Sequence, residues 1–268
     1  MPSPASHVPG PVDRLRIVLV GTQHPGNIGS AARAMKTMGL TRLVLVAPEK
    51  APSVESYALA AGADDVLAGA TTCATLAEAV ADCRLVLGCT ARSRRVALEE
   101  LLPRDAAARA VGEAGAGAEV ALVFGRERTG LTNDELQLCH ASVHIPANPD
   151  YSSLNLAAAV QVLSYEVRLA VLAATAPTAT ATAAEGDAGA GAERRDTPAS
   201  HAEMEGFFAQ LAETLDAIDF HKGRAPESAM RKLRRLYLRA GLDSREVRIL
   251  RGILADAQRM ASLARPGS

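Results

Sequence analysis

The sequence lacks several features that would each indicate a class of protein. It has no tryptophan, four cysteines and no run of eighteen apolar residues among its 268 positions. The cysteines are scattered, without a Cys-x-x-Cys pair or a histidine at ligand spacing, which argues against a zinc site and favours thiols in a reducing compartment. The N-terminus lacks the apolar core of a signal peptide. We therefore expect a cytoplasmic protein with no metal and no membrane span.

Short apolar runs alternate with amphipathic stretches from Leu15 to about Ala173. The predicted strands are Leu15–Val20, Leu43–Val46, Leu85–Gly88, Val120–Phe124 and Val143–Ile145, with a weaker candidate around Val66. The predicted helices are Ile28–Met38, Val54–Ala60, Leu76–Asp82, Arg104–Glu113, Asn133–Leu138 and Leu154–Ala173. Runs that are apolar throughout are typical of strands covered on both faces. This region therefore predicts an α/β fold, with a mostly parallel sheet and helices on both faces.

The composition divides the chain into four parts. Residues 1–12 are rich in proline and serine and predict a disordered lead-in, and residues 13–173 form the α/β domain. Residues 174–199 are mostly small, with no apolar periodicity, which predicts a flexible linker. Residues 200–268 predict a small all-α domain. Its three amphipathic helices are His201–Asp219, Glu227–Ala240 and Ser244–Leu263.

The segment Val20–Arg33 combines a strand, a Gly/Pro-containing loop and the start of a helix. It lacks both the G-x-G-x-x-G fingerprint and the P-loop, which argues against a nucleotide-dependent oxidoreductase. If Asn27 caps the helix, Arg33 lies about one and a half turns in, and its side chain leans back toward the free N–H groups. That arrangement suits a phosphate. A plain cap and a solvated arginine would fit the same residues.

Polar loops follow three of the predicted strands, in the segments Gly88–Arg94, Leu122–Leu131 and Ile145–Leu156. The carboxyl ends of parallel strands meet at one edge, where loops converge on a crevice. The sequence therefore predicts a small-molecule site at that edge. No histidine and acidic residue accompany the serines at hydrolase spacing, which argues against a serine nucleophile.

Single residues in these loops carry more specific expectations. Gly125 would let a ligand approach the backbone, and Gly130 would permit a left-handed turn. Glu127 has an arginine on each side and so has ready partners. Ser153 is predicted to cap the long helix that follows it.

Three segments, taken in order, resemble the motifs of the SpoU/TrmH group of SPOUT RNA methyltransferases. They read Asn27-x-Gly-x-x-x-Arg33, Phe124-Gly-Arg-Glu-x-x-Gly-Leu131 and Ile145-Pro-x-x-x-x-x-Ser-Ser-Leu-Asn155. The resemblance runs from about Leu15 to Ala173 and resumes in the C-terminal helices. Within the group it is closest to the bacterial enzymes that methylate the 2′-hydroxyl of nucleotide 32 in the tRNA anticodon loop.

The resemblance implies a C-terminal trefoil knot, a homodimer and an S-adenosylmethionine site formed by the knot loops. The cofactor-binding residues that it implies are Cys89, Thr90, Ala91, Gly125, Glu127, Ile145, Ser152, Ser153 and Leu154. It assigns catalysis to Arg33, with Asn27, Ser153 and Asn155 arranging the target ribose. Because arginine is effectively always protonated in proteins, we expect Arg33 to grip a phosphate and stabilise developing negative charge rather than act as a base.

The charge distribution of the C-terminal helices suggests an RNA partner. The segment from His221 to Arg251 contains ten lysines and arginines but only three acidic residues, in a chain whose net charge is −1. Leu233, Leu236 and Tyr237 are expected to face inward. The predicted RNA-binding residues are Arg94, Arg231, Lys232, Arg234 and Arg235. A charged outer face is also the default for any solvated helix. With few aromatic residues, recognition of tRNA by shape is favoured over base stacking.

Two other functions remain compatible with the sequence. The three motifs report cofactor and chemistry, so a knotted methyltransferase acting on rRNA or on another tRNA ribose would carry them too. A non-catalytic RNA-binding protein with a degenerate knot is the second alternative, and the intact polar residues of the motifs argue against it.

Overall fold

The computed structural model describes residues 10–91, 98–175 and 198–264. The chain divides into two compact units, Met1–Ala179 and Thr180–Ser268. Most of the predicted lead-in and linker falls outside the described residues, and the predicted RNA contact Arg94 lies outside them as well.

A parallel sheet forms the centre of the first unit. Its strands are β1 (Leu15–Val20), β2 (Arg42–Val46), β3 (Thr71–Cys73), β4 (Leu85–Cys89), β5 (Glu99–Leu101), β6 (Val120–Phe124) and β7 (Ala141–Val143). Their order in the sheet is β3-β2-β1-β6-β4-β7-β5, and every pair is parallel. All carboxyl ends therefore lie at one edge of the sheet.

Helices cover both faces of this sheet. They are α1 (Pro25–Thr37), α2 (Val54–Ala60), α3 (Asp64–Ala68), α4 (Leu76–Ala79), α5 (Pro103–Gly115), α6 (Asn133–Gln137) and α7 (Leu156–Thr175). Side chains alternate along β1, so that Ile17 and Leu19 join the core under α1, α5 and α7 while Val18 and Val20 join the core under α4 and α6. The predicted α/β architecture is confirmed.

Helix α7 is long and apolar enough, by length and composition, to cross a membrane. Its residues Val160, Leu163 and Val167 are buried in the core beneath the sheet, and the helix packs against α1 and α5. That packing is typical of the core helix of a globular domain.

Two of the strand predictions are wrong. The last strand is Ala141–Val143, and Ile145 lies in the loop after it. Val66 lies in α3, whose first turn carries Asp64 and Asp65, and acidic residues there stabilise a helix start. The strands β3 and β5 were not predicted, because each has three residues and two of those are threonine or glutamate.

A charged cluster occupies the opposite, amino edge of the sheet. The buried guanidinium of Arg16 donates to both carboxylate oxygens of Asp82, at 2.8 and 2.6 Å, and to Glu119 at 2.8 Å. Glu119 also pairs with Arg14 and Arg42. Partial burial raises the pKa of Asp82, but the hydrogen bonds and charge of Arg16 outweigh burial, and the pKa lies below its ordinary value. Together these residues link the starts of β1, β2, β4 and β6.

The second unit is a small helical bundle, as predicted. It consists of α8 (His201–Ala217), α9 (Pro226–Ala240) and α10 (Ser244–Ala264). Its core contains Phe207 and Phe208, and Phe207 meets the ring of Tyr237 edge-on at 4.8 Å. Gly241 ends α9 in the left-handed conformation, which glycine adopts readily.

Candidate active site

A cavity of about 470 Å³ lies at the carboxyl edge of the sheet. The loops after β4, β6 and β7 line it, as expected from the convergence of parallel strands. All nine residues predicted to bind a cofactor belong to its lining: Cys89, Thr90, Ala91, Gly125, Glu127, Ile145, Ser152, Ser153 and Leu154. The structure thus brings together three segments that are far apart in the sequence.

Seven further lining residues were not predicted as site residues. They are Phe124, Arg126, Arg128, Thr129, Gly130, Leu156 and Ala159. Most belong to the loop that follows β6. The segment Leu122–Leu131 was predicted to lie at this edge as a whole, and its position directly after a fully apolar strand is the signal that also points to its single residues.

The loop after β6 is a tight turn that only glycine permits. The N–H of Gly130 donates to Arg126 O at 2.8 Å, and the N–H of Arg126 donates to Gly130 O at 3.3 Å. Gly130 is left-handed, with a φ of +68°, as expected. A Cβ on Gly125 would lie 2.2 Å from the backbone of Gly130 and Leu131. Gly125 therefore allows the turn to close, and it also leaves the cavity wall without a side chain.

Glu127 fastens this turn to the start of α1. Its carboxylate accepts the backbone N–H groups of Gln23, at 3.0 and 3.2 Å, and of His24, at 3.2 Å. The side-chain amide of Asn27 also donates to it, at 3.0 Å. Partial burial raises the pKa of Glu127, but these hydrogen bonds outweigh burial and bring the pKa below its ordinary value.

Two expectations about this region are thereby corrected. The neighbouring arginines are not the partners of Glu127, because its carboxylate faces the backbone of the loop after β1. The start of α1, which we expected to suit a phosphate, already has that carboxylate beside it, bound to the N–H groups of Gln23 and His24, and its negative charge would repel a second anion there. A carboxylate at this position also interacts favourably with the positive end of the helix dipole.

Asn27 connects all three motifs. Its Nδ2 faces the acceptor-only carboxylate of Glu127, so its Oδ1 is left to accept the Nδ2 of Asn155 at 3.1 Å. Asn155 in turn accepts the N–H of Ala157 at 2.9 Å, which caps α7. A single chain of hydrogen bonds therefore joins the loop after β6, helix α1 and helix α7.

Both predicted helix caps of the motifs are wrong by a few residues. Helix α1 begins at Pro25, so Asn27 is its third residue and Arg33 lies more than two turns in. Helix α7 begins at Leu156, and Asn155 rather than Ser153 caps it. Ser153 is exposed in the cavity wall. Helix α1 begins earlier than predicted because proline favours the first helical position. Helix α7 begins later than predicted because the side-chain oxygen of Asn155 accepts an N–H group of its first turn.

The glycine of the first motif allows two helices to pack closely. A Cβ on Gly29 would lie 1.9 Å from the carbonyl oxygen of Ser56 in α2. The hydroxyl of Ser56 donates to Pro25 O at 2.7 Å. Helix α2 therefore packs directly against the start of α1 and holds it in place.

Arg33 is exposed on α1 and is not among the residues that line the cavity. Within the described ranges its guanidinium has neither a hydrogen bond nor an ion pair. Arg126 differs, because its guanidinium binds Glu135 in a bidentate manner at 3.0 to 3.1 Å. Glu135 also forms a capping box with Thr132 at the start of α6. Arg33 is thus available to an external anion in a way that Arg126 is not.

The loop after β4 lines the cavity with the small residues Cys89, Thr90 and Ala91. The N–H of Thr90 donates to Val143 O at 3.0 Å. This backbone N–H is therefore already used within the protein and is not left for a ligand. Burial raises the pKa of the Cys89 thiol to about 12, which keeps it neutral. The described part of the chain contains no group of three or more His, Cys, Asp and Glu side chains that could hold a metal ion.

The predicted RNA-binding residues of α9 separate into two kinds. Arg231, Lys232 and Arg235 are exposed, as expected. Arg234 is turned inward, where it pairs with Glu205 and its guanidinium lies 4.5 Å from the ring centre of Phe208.

The prediction for Arg234 is therefore corrected to a packing role. The inward face of α9 also differs from the prediction. Leu236, which was expected to face inward, is 49% exposed, and Leu238 instead packs against the core with Leu233 and Tyr237.

Two family models match the chain. The SpoU rRNA methylase family matches residues 14–165, and the C-terminal domain of the tRNA methyltransferase TrmJ matches residues 202–266. The chain is 48% identical over 250 residues to the tRNA (cytidine/uridine/adenosine-2′-O-)-methyltransferase TrmJ of Pseudomonas aeruginosa, covering 93% of this chain and 96% of the relative. It is 51% identical over 248 residues to the tRNA (cytidine/uridine-2′-O-)-methyltransferase TrmJ of Salmonella typhimurium, covering 92% and 97%.

Solved structures give the same result. A crystal structure of TrmJ from Z. mobilis ZM4 superposes with a TM-score of 0.73 at 34% identity, covering 93% of this chain and 99% of that one. A probable methylase family protein from Haemophilus influenzae Rd KW20 superposes with a TM-score of 0.59 at 41% identity, covering 95% and 100%.

Proposed function

The chain belongs to the SpoU methylase family, in its TrmJ group, and from that membership we propose that it transfers a methyl group from S-adenosylmethionine to a tRNA 2′-hydroxyl. We propose nucleotide 32 of the anticodon loop, cytidine or uridine, as the target. Two observations carry the proposal: the second and third motifs line one cavity, and a chain of hydrogen bonds through Asn27 joins the first motif to both of them. The names of the TrmJ relatives support tRNA as the substrate.

The cavity fits the proposed cofactor. Its volume of about 470 Å³ falls within the range of about 300–1,000 Å³ that is typical of small-ligand sites. Its lining is mostly small side chains and backbone, with Gly125 leaving the wall open to close approach. The cofactor would supply an activated methyl group, while Cys89–Ala91, Ile145 and Ser152–Leu154 would hold it.

The protein's own part in the reaction is to place the acceptor. Asn27 and Asn155 are fixed relative to the cavity by the hydrogen-bond chain from Glu127, and Ser153 lies in the cavity wall. Positioning alone supplies a large part of the acceleration in group transfer. Arg33 would bind the phosphate beside the target ribose and stabilise the charge that develops on the 2′-oxygen.

The family resemblance also implies a trefoil knot and a homodimer in the cytoplasm, and we propose all three. In support of the knot, β7 lies between β4 and β5 in the sheet, and the loop after it closes the cavity. In support of the dimer, α7 exposes an apolar stripe at helical spacing, formed by Tyr165, Leu169 and Leu172, which are 48%, 37% and 48% exposed.

The test is the position of the modification. The purified chain would be incubated with S-adenosylmethionine and a mixture of tRNA and rRNA, and 2′-O-methyl groups would be mapped at nucleotide resolution. We expect methylation at nucleotide 32 of tRNA. Methylation of rRNA alone would favour the second candidate, which the description of the SpoU rRNA methylase family supports. If the chain binds tRNA but neither methylates it nor binds S-adenosylmethionine, the proposal is contradicted.

A further inference from the structure

Tyr151 stands out among the aromatic residues. The chain has four tyrosines and four phenylalanines, and Tyr151 is 81% exposed, more than any other of the eight. A tyrosine ring in a folded domain usually buries much of its apolar area. Tyr151 directly precedes Ser152 of the cavity wall, in the loop that follows β7, and its side chain is open to solvent.

The turn that carries Tyr151 is well held. The side-chain oxygen of Asn148 accepts the N–H of Asp150 at 3.0 Å, and the N–H of Tyr151 donates to Asn148 O at 2.9 Å. Pro149, between them, has a fixed φ. The ring is therefore presented from a preformed backbone, so a ligand that stacks on it need not order the turn first.

The loop after β6 also presents an exposed charged side chain at the cavity, that of Arg128. It is exposed, lines the same cavity and sits within the closed Arg126–Gly130 turn. Among the residues that the structure describes, no carboxylate pairs with it, whereas Arg126 is held by Glu135. Two loops of one cavity thus offer an unpaired cation and an uncovered aromatic ring.

Resting on the RNA methylation proposed above, we propose that Tyr151 and Arg128 form a nucleotide-binding rim around the cavity. In this rim the Tyr151 ring stacks on an unpaired base next to the methylated ribose, and Arg128 contacts a phosphate of the same loop. Unpaired nucleotides are recognised in this way, because every base has a stacking face and every linkage carries a charge. Asp150, the neighbour of Tyr151 in the turn, adds a negative charge to this loop, which favours a base over a phosphate at that position.

The experiment compares full-length wild-type protein with Tyr151→Ala, Tyr151→Phe and Arg128→Ala. Tyr57→Ala, a half-exposed tyrosine of α2, is the matched control. For each we would measure kcat and KM for tRNA methylation over a salt series, and S-adenosylmethionine affinity by calorimetry. An anticodon stem–loop with 2-aminopurine at successive loop positions would report stacking by fluorescence quenching.

We expect Tyr151→Ala to raise the KM for tRNA about tenfold and to abolish quenching at one loop position, while Tyr151→Phe and Tyr57→Ala stay near wild type. Arg128→Ala should weaken RNA binding and lower the salt dependence by about one phosphate contact. Cofactor affinity should be unchanged in both Tyr151 variants and in Tyr57→Ala.

An unchanged KM and unchanged quenching in Tyr151→Ala would overturn the rim. A loss of cofactor binding or of the oligomeric state in that variant, in place of a KM effect, would also overturn it. If the wild-type protein does not methylate RNA, the proposed function fails instead.

Discussion

The carboxylate of Glu127 accepts the side-chain amide of Asn27 at 3.0 Å, across one hundred residues of sequence. This contact orients the asparagine so that its oxygen accepts the amide of Asn155. Glu127, Asn27 and Asn155 therefore form one hydrogen-bonded chain. The orientation of each side chain depends on whether its neighbour in the chain is a donor or an acceptor and on the length of that side chain.

A double-mutant cycle tests that assembly. Asn27→Asp places two carboxylates in contact, which we expect to lower methylation at least tenfold and the free energy of unfolding by about 1–3 kcal/mol. Adding Glu127→Gln restores a donor and should recover part of both losses. Methylation rate and urea unfolding are the measurements. The same Asn→Asp change at exposed Asn133 is the control, and strictly additive effects of the two substitutions would contradict the coupling.

Gly125→Ala should destroy the turn after β6. The added Cβ meets the backbone of Gly130 and Leu131 at 2.2 Å, so we expect roughly 2–3 kcal/mol of lost stability and no measurable cofactor binding. Gly112→Ala is the matched control, because Gly112 lies in α5 and a Cβ added there would have no neighbouring atom within 4 Å. It should stabilise the protein by about 0.5–1 kcal/mol. Cofactor binding by Gly125→Ala at wild-type affinity would show that the turn is not needed.

Arg33→Ala should separate catalysis from stability. The side chain is exposed and its guanidinium has no partner within the described residues, so the melting temperature should stay within about 1 °C. We expect kcat to fall roughly 10²- to 10³-fold, as for the loss of a charge-stabilising donor. Arg33→Lys keeps the charge but lacks the planar fork, and full activity in that variant over a pH series would rule out bidentate phosphate binding.

The pair Arg234 and Arg235 tests the division of α9 into packing and RNA-binding residues. Arg234→Ala removes the pairing with Glu205 and the stacking on Phe208, so we expect about 2–3 kcal/mol of lost stability in the second unit. Arg235→Ala should leave stability unchanged but reduce tRNA affinity, with a smaller salt dependence. Hydrogen exchange and tRNA binding over a salt series distinguish the two. The reverse assignment of effects would contradict the division.

His201 should make the second unit sensitive to acid. Burial, with a smaller effect of the Arg234 charge, lowers the pKa of His201 to about 4. At a pH below about 6.5, the ordinary pKa of histidine, the imidazole of the unfolded chain is protonated whereas that of the folded unit stays neutral. Stability should therefore fall by on the order of 2–3 kcal/mol between about pH 6.5 and 4.

Hydrogen exchange of α8 at a series of pH values would measure this loss. His201→Gln should remove much of the pH dependence, and His24→Gln, at an exposed position in the first unit, should not. An equal dependence in His201→Gln and wild type would show that other groups cause it.

The sequence predicted best those elements that are stabilised by their own composition. The apolar runs of β1 and β6 were placed to the residue, because every side chain in them is buried. The edge strands β3 and β5 were missed, since their polar three-residue segments become strands only by pairing with β2 and β7.

In the site, the lining of the cavity was predictable from loop positions, but its internal contacts were not. Glu127 has arginines beside it in the sequence and nevertheless accepts the N–H groups of Gln23 and His24, which only the parallel pairing of β1 with β6 brings near. Arg234 shows the same limit, because a helix pattern does not reveal that Phe208 and Glu205 of another helix contact it.

The Arg16 cluster lies at the amino edge of the sheet, and the cavity lies at the carboxyl edge. The six residues of β1 separate the two, so at about 3.3 Å per residue they are some 20 Å apart along the strand. An engineer seeking a heat-resistant variant would therefore redesign the amino edge first. Changes there alter how long the protein survives heating while the residues that line the cavity keep their places.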